Sequence, residues 1–408
     1  MDRPLINVPE LSQSEGTMTN ASDFADRRAF QGAPADRSRP DDRQIVLVFQ
    51  GGGALGAYQA GVYQALHEAE IEPDWIIGTS IGAINAALIA GNAGKDRLAR
   101  LEEFWRRMRQ TAGWNAPWLW PGVSDGLSYW STLVGGIPAF FKPNPLAFFG
   151  AHVPLGSERA GFYSTDALRD TLAELVDFSL VNKCSPRLTV GAARVRTSEM
   201  HYFDSRDVEI TADHVLASGA LPPAFPAVCI EGELYWDGGI LSNTPTEAIF
   251  DDNPRRNSLI FAVHLWNPAG PAPETMWDVL HRHKDIQYSS RVASHISRQQ
   301  QVHCLRHVIG ELAKHVPEER RLSPEVRALT SYGCLTRMHV VRLVAPRFDG
   351  ENHTKDVDFT AGGIAKRWEA GYLATRRAIE QMPWQRAADP LAGIVLHEQM
   401  PDVPVAAE

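Results

Sequence analysis

The sequence predicts an α/β fold with a mostly parallel sheet, on two observations. From Ile45 to about Asn92, apolar runs of strand length alternate with helical patterns in the order strand, helix, strand, helix, and neighbouring parallel strands require such crossover helices. A further buried-strand pattern follows at 259–265. The 408 residues, 44% of them hydrophobic, suffice for a sizeable core. We therefore expect one large domain with additions, or two domains.

Residues 1–42 precede the first predicted strand and are polar, rich in Asp, Arg, Ser and Pro. Because they show little periodic hydrophobicity, we expect a disordered leader. It carries Asp2, Glu10 and Glu15 where a secretion signal would have a basic segment and then an apolar one. No apolar run reaches the roughly 18 residues that span a bilayer, and the four scattered cysteines are typical of reduced residues. The expected compartment is the cytoplasm, with peripheral membrane contact as an option.

The first strand leads into a glycine-rich stretch, residues 51–56, that opens a helical pattern. Glycine lets backbone N–H groups approach a ligand closely. Gly51, Gly53 and Gly56 also match the G-x-G-x-x-G dinucleotide fingerprint, which expects an acidic residue at the end of the second strand. That strand ends in Ile-Gly-Thr-Ser at 77–80, so nucleotide binding is a weak alternative.

Residues 78–82 read Gly-Thr-Ser-Ile-Gly, the G-x-S-x-G pattern of a nucleophile elbow. The apolar residues 75–77 predict a strand and residues 83–90 a helix, so Ser80 would lie on the sharp turn between them. The flanking glycines let that turn close. The free N–H groups and positive dipole end of the helix would face an anion forming at Ser80. This arrangement is typical of serine hydrolases.

An aromatic insert interrupts the α/β pattern after a predicted amphipathic helix at 98–108. Residues 113–150 combine many Pro and Gly with large aromatic side chains, namely Trp114, Trp118, Trp120, Trp130, Phe140, Phe141, Phe148 and Phe149. Such an insert is either a lid or membrane-contacting surface, or a set of rings packed over the core or at a subunit contact. The sequence favours neither interpretation over the other.

The rest of the chain continues the α/β pattern. Asp237-Gly238-Gly239, taken alone, predicts a tight turn. The other predicted elements are a helix from about Ser164, strands at 187–193, 200–204, 259–265 and 339–344, a long helix at 276–315 and a closing helix at 364–381.

Four motifs together resemble the bacterial patatin-like phospholipases. They are the glycine loop at 51–56, the elbow at 78–82, the Ala-Ser-Gly-Ala-Leu-Pro-Pro-Ala-Phe-Pro-Ala-Val block at 217–228, and Asp237-Gly238-Gly239 followed by Asn243-Thr244-Pro245. The resemblance covers roughly residues 45–250. It implies a three-layer α/β/α hydrolase with its catalytic domain at 43–265. Residues 266–408 are similar to an extension of unassigned function in a bacterial subgroup, and we expect a helical α/β extension packed on the catalytic domain.

The resemblance also implies the roles of the site residues. Ser80 would be the nucleophile and Asp237 its partner in a catalytic dyad, with no histidine, metal or cofactor. The predicted oxyanion donors are the backbone N–H groups of Gly51, Gly52, Gly53 and Ile81, supported by Gly56, Gly78, Gly82, Gly238 and Gly239. Leu55 stands where many members carry Arg or Lys, and Gln50 where many carry Asp. A preference for acidic head groups is therefore not carried over, although neither change removes a backbone donor.

The chemistry of these residues leads to the same function. A serine hydroxyl becomes a good nucleophile when a neighbouring base accepts its proton, and an acyl-enzyme divides ester hydrolysis into two easier steps. Aspartate, with an ordinary pKa of about 4, is a weak base, so placement and partial desolvation must compensate. We therefore predict a serine acyl hydrolase acting on a lipid or other acyl ester.

Three alternatives remain open. A Ser-His-Asp triad could use His303, His307, His339 or His353, but that fold places several strands before its elbow, whereas one strand and one helix precede Ser80. His303 and His307 lie one helical turn apart without a third ligand at matching spacing, so a polar helix face is favoured over a metal site. A non-catalytic lipid-binding or scaffold protein would carry the same motifs.

The net charge of -9 and the pI of about 5.9 give no electrostatic reason to expect nucleic-acid binding.

Overall fold

The computed structural model describes residues 43–109, 136–149, 152 and 154–398, and every structural statement below concerns these residues. The strands are β1 (Gln44–Phe49), β2 (Trp75–Thr79), β3 (Lys142–Pro143), β4 (Tyr163–Ser164), β5 (Arg187–Arg194), β6 (Met200–Asp204), β7 (Val228–Ile230), β8 (Glu233–Asp237), β9 (Ser258–His264), β10 (Met338–Val344) and β11 (Ile394–Glu398). The helices are α1 (Ala57–Glu68), α2 (Ile81–Ala90), α3 (Arg97–Met108), α4 (Asp166–Leu175), α5 (Phe178–Val181), α6 (Ala212–Ser218), α7 (Glu247–Phe250), α8 (Met276–Lys314), α9 (Glu318–Arg321), α10 (Pro324–Thr330) and α11 (Ala361–Gln381).

A nine-stranded sheet organises the fold, in the order β11-β10-β9-β1-β2-β5-β8-β7, with β6 paired to β5. The pairs from β11 through β9, β1 and β2 to β5 are all parallel. Strands β6, β7 and β8 join by antiparallel pairs, and β3 and β4 form a separate two-stranded ribbon. The prediction of an α/β fold with a mostly parallel sheet is confirmed.

Alternating side chains along β1 pack into different apolar clusters. Leu47 and Phe49 pack in the cluster that contains α1 and α2, whereas Val46 and Val48 pack with Phe250 of α7. Successive side chains of a strand point to opposite faces, so both faces of the sheet are covered by helices. Full burial of each such side chain contributes about 1.5–3 kcal/mol. The sheet is thus the middle of three layers.

The C-terminal part of the chain extends this same sheet. Strand β10 pairs with β9, and β11 pairs with β10. The long helix α8 begins at Thr275, whose hydroxyl oxygen accepts from the Asp278 N–H, while the Asp278 carboxylate accepts from the Thr275 N–H at 2.9 Å. This capping box explains why the helix starts there. Where the catalytic domain ends and an extension begins stays a prediction, because the strands on either side of residue 265 share one sheet.

Helices α1 and α11 touch through two glycines. A Cβ added at Gly61 would lie less than 3.0 Å from the carbonyl oxygen of Trp368, and one added at Gly371 would lie less than 3.0 Å from that of Tyr58. We expect Gly371→Ala to lower the free energy of unfolding by about 1–3 kcal/mol, because the two backbones must move apart. Gly362→Ala, in the same helix with open space around it, should be neutral or stabilising. Urea unfolding followed by circular dichroism would compare the two, and equal midpoints would contradict the packing argument.

The aromatic insert is described only in part. Its four tryptophans lie outside the described residues, as does most of 113–150. Phe141 is buried and its ring lies 5.0 Å from that of Tyr163, while the Phe140 ring lies 6.0 Å from that of Phe359. Phe141 therefore belongs to the core, and the partly buried Phe140 packs against it. Within the described ranges, no helix combines the length and apolar character needed to cross a membrane.

Candidate active site

Ser80 occupies a strained turn between β2 and α2. Its backbone angles are φ 56° and ψ -127°, a conformation that favours glycine and costs another residue about 1–3 kcal/mol. A Cβ at Gly78 would lie less than 3.0 Å from the carbonyl oxygen of Gly82, and one at Gly82 equally close to that of Phe49. The two glycines that the pattern requires are thus needed for the close approach of backbone to backbone.

Ser218, near the end of α6, holds the backbone of this turn. Its hydroxyl oxygen accepts from the Ser80 N–H at 3.0 Å, and its O–H donates to the carbonyl oxygen of Gly191 at 2.6 Å. Ser218 is fully buried. Ser218 lies in the motif block at 217–228, but no local pattern in the sequence indicates this role.

Strand β5 brings Asp237 to Ser80. Gly191 of β5 pairs with Thr79, the last residue of β2, and the next residue, Ala192, pairs with Asp237, the last residue of β8. Because β6 occupies the other edge of β5 at these positions, β2 and β8 must lie on the same edge. The C-terminal ends of β2 and β8 therefore meet at this edge of β5, which places Ser80 beside Asp237.

Asp237 is buried, with 2% of its surface exposed. Its Oδ1 accepts from the Gly239 N–H at 2.7 Å, and the Ser80 side chain lies near enough to the carboxylate to affect its pKa. Burial raises the pKa of Asp237 to about 6, and the bonds from Ser80 and Gly239 oppose that shift. Above pH 6 this carboxylate is ionised and is a stronger base than an exposed aspartate.

The glycine loop packs closely against Ser80. A Cβ at Gly51 would lie 3.0 Å from the Cβ of Ser80 and 2.5 Å from Oδ1 of Asn243. The Gly51 N–H donates to the carbonyl oxygen of Asn243 at 3.2 Å, so the inclusion of Gly51 among the oxyanion donors needs correction. Its amide is already engaged, and its role is to let the loop approach. Asn243, to which sequence reasoning gave no role, links the loop to the turn after Asp237.

Unlike the Gly51 amide, the other predicted donors are available to donate a hydrogen bond to a ligand. Within the described ranges, the Gly52 and Gly53 N–H groups have no hydrogen-bond acceptor in the protein. Ile81 is the first residue of α2, where N–H groups lack a partner within the helix. Gly56 packs against Ile81, since a Cβ on Gly56 would lie 2.5 Å from Cγ1 of Ile81. The structure thus brings the glycine loop and the elbow together.

Gln50 explains one departure from the family pattern. It is fully buried. Its Nε2 donates to Oγ1 of Thr244 at 2.8 Å and to the carbonyl oxygen of Tyr288 at 3.1 Å, and its Oε1 accepts from the N–H groups of Leu265 and Trp266. An aspartate could not donate these bonds. Glutamine at this position therefore ties the loop to β9 and α8.

The histidines considered for a triad lie against other groups. The His303 ring packs 6.0 Å from that of Phe250, the His339 ring stacks on His397, and the His353 ring stacks on Trp277. His307 borders Gly393. The hydrogen bonds that shift the pKa of Asp237 come from Ser80 and Gly239 instead.

A crevice of about 190 Å³ opens beside the acid. It is lined by Gly239, Ile240, Leu241, Asn243, Tyr288 and His295, among others. Within the described ranges, no group of three or more His, Cys, Asp and Glu residues has a metal-binding arrangement. The hydroxyl of Ser80, the buried carboxylate of Asp237 and the unpaired backbone N–H groups of the described residues are the chemistry available here.

Comparison with known proteins matches these features. A family model described as patatin-like phospholipase matches residues 47–250, half of the chain, and a second, described as patatin phospholipase, matches residues 286–391. Lysophospholipase nte1 of Aspergillus terreus is 46% identical over 263 residues, which cover 58% of this chain and 14% of that protein. The Aspergillus niger protein of that name is 27% identical over 241 residues, covering 58% and 13%. The chain thus spans about one seventh of the length of these relatives.

Two solved structures are similar at low levels. VipD from Legionella pneumophila has 15% identity and a TM-score of 0.35, covering 84% of this chain and 67% of that one. The ExoU–SpcU complex from the type III secretion system of Pseudomonas aeruginosa has 14% identity and a TM-score of 0.25, covering 86% and 74%. Neither adds to the argument. The relatives named here are fungal, whereas the sequence resemblance was to bacterial members, but the family is the same. With its ordered motifs and a family match over half its length, the chain belongs to the patatin-like phospholipases.

Proposed function

We propose that this protein is a serine acyl hydrolase that cleaves lipid esters through a Ser80–Asp237 dyad. One observation carries the proposal, namely that the strained turn and the strand pairing place Ser80 beside the buried carboxylate of Asp237, on whose pKa the Ser80 side chain acts by hydrogen bonding. A serine and its base within hydrogen-bond reach are the requirement for an activated nucleophile. The fold alone would not support this function, because one fold serves many chemistries.

In the first step, Oγ of Ser80 attacks the ester carbonyl while Asp237 accepts its proton. The negative charge that forms on the carbonyl oxygen would be stabilised by the N–H groups of Gly52, Gly53 and Ile81. Each such preorganised donor contributes about 3 kcal/mol of transition-state stabilisation. The proton on Asp237 passes to the departing alcohol, which leaves the acyl group bound to Ser80.

In the second step, the same carboxylate accepts a proton from a water molecule that attacks the acyl-enzyme. The oxyanion donors act again, and the proton returns to Ser80 as the acid product leaves. The raised pKa of Asp237 supports this double role, because a base works best when its pKa lies near the operating pH.

A lipid is the proposed substrate class. The support is the family and the named relatives, which are lysophospholipases. The crevice beside Asp237 includes the apolar side chains of Ile240 and Leu241, which suit an acyl chain. Peripheral membrane contact through 113–150 stays a prediction, because most of that segment lies outside the described residues.

The test is hydrolysis of p-nitrophenyl esters of increasing acyl length, combined with mass spectrometry after a fluorophosphonate probe. We expect p-nitrophenol release and one probe adduct on Ser80. A preference for long chains would rank lipid esters above small esters. A folded protein that neither releases p-nitrophenol nor takes up the probe would support a non-catalytic lipid-binding protein instead.

A further inference from the structure

The glycine loop has a second side, which faces residues beyond the first family match. A Cβ on Gly52 would lie 3.0 Å from Cδ1 of Leu265 and 3.2 Å from Nε1 of Trp266. Gly53 has φ +54°, and a Cβ there would lie less than 3.0 Å from the carbonyl oxygen of Asp356. Trp266 Nε1–H also donates to the carbonyl oxygen of Gly51 at 2.8 Å. Gly51, Gly52 and Gly53 are therefore each contacted from behind by later parts of the chain.

A buried ion pair lies directly behind that contact. The Nζ of Lys355 lies 2.7 Å from Oδ1 of Asp285 on α8, and their side chains are 4% and 0% exposed. Lys355 immediately precedes Asp356, in the short 3₁₀ turn Lys355–Val357. Its Nζ also lies 5.2 Å from the centroid of the Trp266 ring, within cation–π range. One side chain thus joins α8, the turn and the tryptophan that bonds the loop.

Stability alone does not account for a buried pair at this position. Desolvation of a lysine and an aspartate offsets most of their attraction, so a buried pair contributes little net stability compared with apolar residues of similar size. What such a pair supplies is a fixed geometry, since each charge demands its partner. Leu55, at the loop position where many family members have a basic residue, lines the same crevice as Lys355. A basic side chain from a distant part of the sequence therefore lines the crevice that borders this loop position.

We propose that Lys355 is a positioning residue for the oxyanion loop. Its ion pair with Asp285 holds the Asp356 carbonyl against Gly53 and, through Trp266, fixes the backbone of Gly51. The N–H groups of the next two glycines are thereby held towards the reacting carbonyl. This inference rests on the proposed function for its catalytic consequence, and it makes the C-terminal region part of the catalytic machinery.

The experiment compares Lys355→Met with Arg187→Met. Arg187 is also a largely buried cation, 12% exposed and paired with Asp204 and Asp252, but it lies at the opposite end of β5 from the site. Both variants should melt below the parent. At a temperature well below both transitions, Lys355→Met should lower kcat by about 10- to 100-fold with KM nearly unchanged, because small misplacements of catalytic groups cost rates of that order. Arg187→Met should keep kcat within about twofold.

Two further readouts separate positioning from general stability. The double variant Lys355→Met with Asp285→Asn removes the unpaired charge, so its melting temperature should recover while kcat stays low. Full recovery of kcat would overturn the proposal. Amide hydrogen exchange at Gly51 and Leu55 should quicken in Lys355→Met but not in Arg187→Met, and unchanged exchange would also overturn it. That measurement needs no turnover, so failure of the proposed function in the parent is seen separately.

Discussion

Ser80→Ala is expected to lower kcat for ester hydrolysis by about 10⁴-fold or more, because the variant has no atom that can form the acyl-enzyme. Residual activity would come from the oxyanion donors and binding alone. The measurement is p-nitrophenyl ester hydrolysis with burst-phase kinetics, together with loss of the fluorophosphonate adduct. Turnover within tenfold of the parent would rule out Ser80 as the nucleophile.

The strained turn supplies a matched control for that variant. Alanine must adopt the same backbone angles as Ser80, φ 56° and ψ -127°, so Ser80→Ala should fold with nearly unchanged stability. Ser80→Gly relieves the strain and should raise the free energy of unfolding by about 1 kcal/mol, while being equally inactive. An inactive variant that is more stable than the parent cannot owe its inactivity to misfolding. Equal stability of the two variants would contradict the inference that the backbone at residue 80 is strained.

Asp237→Asn is the second large effect, with kcat expected to fall by about 10³- to 10⁴-fold. Asparagine fits the site and can still accept the Gly239 N–H through its side-chain oxygen, but its amide cannot take a proton from Ser80. The parent should show a single acid limb in kcat/KM near pH 6, since burial raises the pKa of Asp237 to about that value. Activity at pH 5 should be about tenfold below its plateau. The residual activity of the variant should lack this limb, and retention of the limb would assign it to another group.

The same shift has a consequence for stability. A carboxyl whose pKa rises from 3.8 in the unfolded chain to about 6 in the fold binds more protons when folded between those two values. Its contribution is therefore most favourable below pH 3.8 and becomes a penalty of about 3 kcal/mol above pH 6. Asparagine carries no such penalty, so Asp237→Asn should unfold at higher urea concentration than the parent at pH 8. A less stable variant at pH 8 would show that the ionised form is better solvated than its burial implies.

Local elements followed from the sequence. The strand at 45–49, the elbow at 78–82 and the long helix from Met276 depend on neighbouring residues, because helix hydrogen bonds, turns and caps connect positions a few residues apart. In an amphipathic helix such as 98–108, the spacing of apolar residues also indicated which side is buried. The identity of the family and the candidates Ser80 and Asp237 came from motifs of this local kind.

Long-range contacts were decided by the tertiary structure alone. The sequence left the Gly51 amide among the free donors, whereas Asn243, far along the chain, occupies it. No local pattern indicated that Ser218 would hold Ser80, or that Lys355 would lie behind the glycine loop. The sequence predicted a strand at 339–344, but only the structure shows that this strand and β11 extend the same sheet as β9. Strand pairing and the partners of buried polar groups join residues distant in sequence, so they are set by how the whole chain packs.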